Sequence, residues 1–207
     1  INQAIADALR SNEERKFVET VEVAINLKDV DLQNPQKRIS AEVALPHGRG
    51  RPARVAVFAQ GEMAVISKKV VDTVISPEQI DELSENKREA RKLAGKFDFF
   101  VAETGLMASI GKSLGVVLGP RGKMPRPIPP QADIERIIKG LTNLVPVRTK
   151  DRPTFHVPIG NVSMSQEQLA DNLETILKRV ESSLDRGYDN IASVRVKTTM
   201  GKSVRLQ

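Results

Sequence analysis

The two side chains most used for thiol or imidazole chemistry are scarce in this chain. It has no cysteine and only two histidines, His47 and His156, far apart in sequence. Disulfides, thiolate ligands and thiol nucleophiles are therefore excluded, and a histidine-rich metal set is not expected. The chain offers instead cations and hydroxyls close to glycine, a combination suited to phosphate. Gly111-Lys112-Ser113 follows a predicted strand and resembles the tail of a phosphate-binding loop. That pattern needs a glycine where Leu106 stands, and Gly105 is one residue early. The segment from Leu118 to Pro130 holds five prolines, two glycines and the cations Arg121, Lys123 and Arg126. Either it is a rigid connection between helices, or a preformed arm whose cations, lacking internal partners, meet phosphate with little loss of ordering entropy. Composition leaves both open. A third set joins the ends of the chain: Lys16-Phe17-Val18-Glu19-Thr20, and Lys197-Thr198-Thr199-Met200-Gly201-Lys202-Ser203. Its hydroxyls can bond phosphates and ribose hydroxyls, Gly201 admits a close backbone, and Met200 and Phe17 offer apolar contact to sugar or base. Glu19 can accept from a ribose hydroxyl or base amino group. The competing reading is a hairpin turn with two core anchors, and Phe17 is expected to be at least partly core.

The charge distribution agrees with a phosphate-facing surface. Lys and Arg number 32 against 26 Asp and Glu, a formal +6, and three stretches lack acid altogether: 43–61, 104–132 and 190–207. Aromatics are only 3% of residues, which disfavours stacking of successive single-stranded bases but not recognition of folded RNA by backbone and shape. No apolar run approaches the roughly 20 residues of a membrane helix, and no secretory signal is visible, so no membrane partner is expected. Since it begins at Ile1, the chain is expected to lack a few leading residues.

Two patterns of elements position these groups. Residues 2–14 read as a short amphipathic helix, and 21–27 and 39–45 as half-buried strands, the second antiparallel to the first. Pro46 to Pro52 reads as a hinge around Gly48 and Gly50. Beyond it, continuous apolar runs at 55–59 and 97–102 and a short strand at 73–75 alternate with helices, one of them opened by Ser76-Pro77-Glu78-Gln79 and running to about 94. Others are expected around 63–70, 105–115 and 131–144, and the whole is the pattern of a parallel α/β sheet. The first pattern then returns: strands at 145–149 and 154–159, a helix opened by Ser165 and ended by Gly187, and a last strand through Val194 and Val196. The fold class expected is α/β (α+β) with two domains. A discontinuous domain with an antiparallel sheet takes 1–50 and 146–207, and a Rossmann-like α/β domain is inserted at 51–145.

The segments KFVETVEV (16–23), ALPHGRG (44–50), LGPRGKMP (118–125), HVPIG (156–160), LADNL (169–173) and TTMG (198–201) run in order along nearly the whole chain. Together they resemble the large-subunit ribosomal protein L-one family, the protein of the mobile ribosomal stalk, and the Lys-Met-Pro…Pro-Ile-Pro-Pro loop is similar to its archaeal branch. The resemblance implies a non-enzymatic, cofactor-free protein, monomeric when free, cytoplasmic and ribosome-associated. Its implied partners are large-subunit ribosomal RNA, exit-site tRNA, whose release the stalk assists, and the protein's own mRNA, whose translation it represses. Carried over by position, the implied RNA contacts are Lys16, Phe17, Glu19, Thr20, Ser193, Thr199, Met200 and Gly201, with Lys197 beside them. Arg121, Lys123 and Arg126 form a possible secondary contact. The competing reading is a nucleotide- or phosphosugar-binding enzyme on the central α/β domain. It needs a His–carboxylate pair or a complete phosphate loop, and the sequence displays neither.

Overall fold

The computed structural model describes residues 1–10, 15–71, 73–130 and 132–206. Contacts divide the chain into two units, Ile1–Pro52 with Asn143–Gln207, and Ala53–Thr142. The first unit takes α1 (Asn2–Arg10), β1 (Thr20–Leu27) and β2 (Ser40–Ala44) from the start of the chain. The second holds β3 (Val55–Phe58), α2 (Gly61–Ser67), β4 (Val74–Ile75), α3 (Pro77–Glu85), α4 (Lys87–Lys96), β5 (Phe99–Glu103), α5 (Met107–Leu118), β6 (Arg126–Ile128) and α6 (Ile134–Thr142). The first unit resumes with β7 (Leu144–Arg148), β8 (Thr154–Asn161), α7 (Gln166–Glu181), β9 (Ile191–Thr198) and β10 (Val204–Arg205).

In the first unit the strands order β10-β9-β1-β8, all antiparallel. Strict alternation along β1 buries Val21, Val23, Ile25 and Leu27 and leaves Thr20, Glu22, Ala24 and Asn26 half-buried. The buried set packs with Val194 and Val196 of β9, Val157 and Ile159 of β8, Ile5 of α1 and Leu169, Leu173, Ile176 and Val180 of α7 in one core. The two helices thus lie on one face, and the other face carries the polar set. Pro158, which has no N–H to offer a neighbour, sits on the edge strand at a register shift opposite Val21 and Glu22.

Several expectations need correction. The strand at 39–45 does not pair with the first one. Both edges of β1 are taken by β8 and β9, so β2 pairs antiparallel with β7 from Ser40↔Arg148 to Ala44↔Leu144. Alternation tells which face a strand buries, not which strand lies beside it. The long helix expected over 76–94 is two helices. Asn86 leaves the helical region (φ −103°, ψ 80°), donates its N–H to Glu82 O and accepts from Glu89 N through its side chain. The last long helix stops at Glu181, short of Gly187, which stands at φ +54° in the following turn. Positions 11–14 and 131, expected in helices, lie outside the described residues.

The segment expected as a hinge is clamped within the first unit. Gly48 (φ +69°) and Gly50 (φ +74°) adopt the left-handed backbone that glycine tolerates. Fully buried Asn172 of α7 donates to Gly48 O (2.9 Å) and Ile159 O (2.8 Å) and accepts from His47 N (3.1 Å). Asn161 donates to Gly50 O (2.9 Å).

The second unit has a parallel sheet ordered β4-β3-β5-β6. Its core is built on Phe58, Phe100, Ile80, Ile110, Leu114 and Leu118. Removing the Asn172 amide leaves His47 N, Gly48 O and Ile159 O without this partner. Asn172→Ala is expected to cost roughly 2–4 kcal/mol, whereas Asp171→Ala, which removes only an exposed partner of His47 at 2.9 Å, should cost under about 1 kcal/mol. Urea unfolding of both variants checks the difference.

Candidate nucleic-acid interface

The first and last long strands end together. The ladder between β1 and β9 closes at Val21↔Thr198, and side chains then take over from backbone pairing. The Thr199 hydroxyl accepts from Thr20 N (3.1 Å) and donates to Thr20 O (3.3 Å), standing in for one more rung. The Glu19 carboxylate, 1% exposed, accepts from Met200 N (2.9 Å) through Oε2, with Arg15 Nε 3.9 Å from Oε1. The hydroxyl of buried Thr198 accepts from Gly201 N (3.0 Å). Lys197 Nζ donates to Thr199 O (2.9 Å) and lies 3.4 Å from Glu22 Oε1. Four side chains therefore hold the backbone of 199–201. The residues left to face outward are apolar: Phe17 is 53%, Val18 63% and Met200 64% exposed. Apolar groups held that far out into solvent are a surface for something else to cover. Lys16 is exposed beside them.

Phe17, expected to be partly core, is on the surface. Glu19, expected as an outward acceptor, is buried and orders the Met200 amide. Thr20, Lys197, Thr199, Met200 and Gly201 come together with Lys16, Phe17 and Glu19. Ser193 does not. It pairs with Asn26 on the polar face, six residues from Thr199, or about 20 Å along the strand. Arg15 is the group the sequence reading passed over, and its spacing of four from Glu19 was the available signal. Gly201 also has a tighter reason than admitting a ligand, because a Cβ there would overlap Thr198 Oγ1.

The second unit corrects two further expectations. Arg121, Lys123 and Arg126 do have internal partners. Arg121 Nη1 donates to Val117 O (3.0 Å), and Lys123 Nζ donates to Ala94 O (2.9 Å) and Phe97 O (2.7 Å), closing the end of α4. Arg126 lies 5.7 Å over the Phe99 ring, and its segment is a strand, β6, paired with β5. Gly111-Lys112-Ser113 lies inside α5. Its backbone is helical and forms no loop that could wrap a phosphate, which removes the feature that suggested a nucleotide enzyme. Among the described residues, no three His, Asp or Glu side chains converge as metal ligands, and no helix is long and apolar enough to cross a membrane.

Comparison with known proteins places the chain in a family. Residues 9–202 match the Ribosomal protein L1p/L10e family. The chain is 50% identical over 207 residues to the large ribosomal subunit protein uL1 of Methanothrix thermoacetophila, covering all of this chain and 98% of that one. It is 49% identical over 205 residues to uL1 of Archaeoglobus fulgidus, covering 99% and 95%. With uL1 of Pyrococcus horikoshii it shares 46% over 208 residues, covering 100% and 95%.

The overlap at Gly201 makes a prediction about stability. Gly201→Ala should destabilise the chain by about 1–3 kcal/mol through overpacking. Part of that loss should be recovered in the double variant with Thr198→Ala, where the obstructing hydroxyl is gone, and a double-mutant cycle on thermal melts measures the coupling. Additive effects would place the Gly201 constraint elsewhere.

Proposed function

Since the chain belongs to the Ribosomal protein L1p/L10e family, a family of ribosomal proteins and not of enzymes, we propose that it is a structural constituent of the large ribosomal subunit that binds large-subunit ribosomal RNA through its first unit. The observation that carries this reading is the strand-end platform, where Thr199, Glu19, Thr198 and Lys197 fix the backbone and leave Met200, Phe17 and Val18 exposed. The Thr199–Gly201 part of the platform lies in a stretch, 190–207, with four cations and no acid. A backbone so fixed loses little entropy on binding, its apolar groups cover sugar and base surface, and the cations supply the salt-dependent attraction common to nucleic-acid binding. In this reading the protein is monomeric when free and works in the cytoplasm on the ribosome. Its ribosomal RNA site also accepts a similar fold in its own mRNA, repressing translation, and the stalk that it forms assists release of exit-site tRNA. The discontinuous domain of 1–50 and 146–207 is the RNA-binding one, and the domain inserted at 51–145 moves about the chain that follows the bonded Gly48 and Gly50.

Purified large-subunit ribosomal RNA tests the reading directly. Met200→Ala and Phe17→Ala should each weaken binding roughly 5- to 30-fold, equivalent to about 1–2 kcal/mol, with melting nearly unchanged because both side chains stand in solvent. If about five phosphates are contacted, log K should fall with log salt at a slope near −3.5 to −4.5. Unaltered affinity in both variants would remove the platform from the interface. The domain assignment makes a separate prediction. Replacing 53–142 by a short Gly/Ser link should retain most of the affinity, and an isolated second unit that bound as tightly as the whole chain would reverse the assignment.

A further inference from the structure

The polar face of the first unit's sheet holds an arrangement that folding alone does not favour. Arg205 of β10 pairs in register with Arg195 of β9. Directly opposed residues of an antiparallel pair project from the same face with Cβ atoms about 5 Å apart, and like charges placed there destabilise the sheet. Both arginines are exposed, and neither has an ion pair or side-chain hydrogen bond among the described residues. The strand cannot swing away to relieve the repulsion. Val204 pairs with Val196, Val204 and Leu206 pack against the core, and Leu206 N donates to Val194 O (2.8 Å). The packing that seats Val204 and Leu206 therefore forces Arg205 outward beside Arg195.

The row continues across the sheet. Arg195 pairs with Ala24 of β1, and Ala24 with His156 of β8. The short Ala24 side chain leaves a shallow floor between a paired cationic wall and an imidazole, across four strands, or about 15 Å. The nearest carboxylate on this face is Glu22, two residues from Ala24 along β1, and it is engaged with Lys197 at 3.4 Å. The row stands three residues before Thr198, so it lies about 10 Å along the sheet from the strand-end platform.

We propose that Arg195 and Arg205 form a second phosphate-binding site, which takes the backbone of the same RNA as it leaves the platform and crosses the open face toward His156. The inference rests on the RNA-binding reading and extends it from Ser193 and Lys197, the implied contacts on this face of β9, to Arg195 and Arg205. A bridging phosphate turns the opposed guanidinium groups from a repulsive pair into a charge-assisted clamp.

The test uses the full chain and purified large-subunit ribosomal RNA, with binding measured by fluorescence anisotropy over a salt series. Because one phosphate bridges both guanidinium groups, the double variant Arg195→Gln/Arg205→Gln is expected to make the slope of log K against log salt shallower by about 0.7–0.9, and each single variant by less, with roughly tenfold loss of affinity for the double variant near 0.1 M salt. Melting of the free Arg205→Gln protein should stay level or rise, since a like-charge opposition is removed. An unchanged slope in the double variant overturns the proposal, as does a lower melting temperature with unchanged slope, which would mean that the arginines serve the fold. The two readings fail separately. If the unaltered chain does not bind the RNA, the proposed function falls, and this site with it. If the unaltered chain binds, Met200→Ala weakens it and the double arginine variant does not, only the second phosphate site is lost.

Discussion

The position of β1 governs the first unit. This strand, formed near the start of the chain, is hydrogen-bonded on one side to β8 and on the other to β9. A strand between two neighbours has no free edge, and its buried side chains contribute to the core from the middle of the sheet. The rest follows geometrically. Both ends of the chain must lie in one unit, the residues between β2 and β7 must be accommodated elsewhere, and β2 must find another partner because no edge of β1 remains. The start of β1 and the end of β9 are also brought together, which is what places Glu19 and Thr20 against Thr199 and Met200.

At that junction the division of labour runs against intuition. Polar side chains that look free to bond outward are used to hold backbone, and the side chains left exposed are the apolar ones. Thr199 spends its hydroxyl as both donor and acceptor on Thr20, and Glu19 is withdrawn from solvent to take one amide. In water such bonds contribute modestly one at a time, but several converging on three residues leave the turn little freedom. The cost of exposing Phe17, Val18 and Met200 is small, since scattered apolar groups are common on surfaces. Their concentration beside the held 199–201 turn is what gives this end of the sheet its character.

Much of this was legible in the sequence where a local rule decides the outcome. The alternation through Val21, Val23 and Ile25 marks a half-buried strand, and Ser165 with Gln168 marks a helix start, which the structure forms as a reciprocal capping box. Continuous apolar runs mark the buried parallel strands. What was not legible depends on partners distant in sequence. The neighbour of β2 lies about a hundred residues away. The fate of the Lys123 ammonium depends on carbonyls at Ala94 and Phe97, and proline-rich composition gives no hint of them. Glu19 and Phe17 were assigned opposite exposures for the same reason. Residue type suggests charge outside and ring inside, but here the sheet end needs an acceptor at 19 more than it needs a ring at 17.

The pairing of the earliest strand with the latest one also sets an order in time. As the chain is synthesised, β1 emerges early, yet its partners β8 and β9 follow only after more than a hundred further residues. The second unit, continuous from Ala53 to Thr142, has all its strands available before either partner exists. Domains fold as units during synthesis, and pairings distant in sequence are slow. The central strand of the first unit's sheet must therefore wait, with the face it later buries exposed, while the inserted unit completes itself. Only when the last eighteen residues have emerged can the Thr199 turn close on Thr20. The Thr199 turn can thus form only after the inserted unit is complete, so a chain truncated after Thr142 carries a finished second unit and no platform.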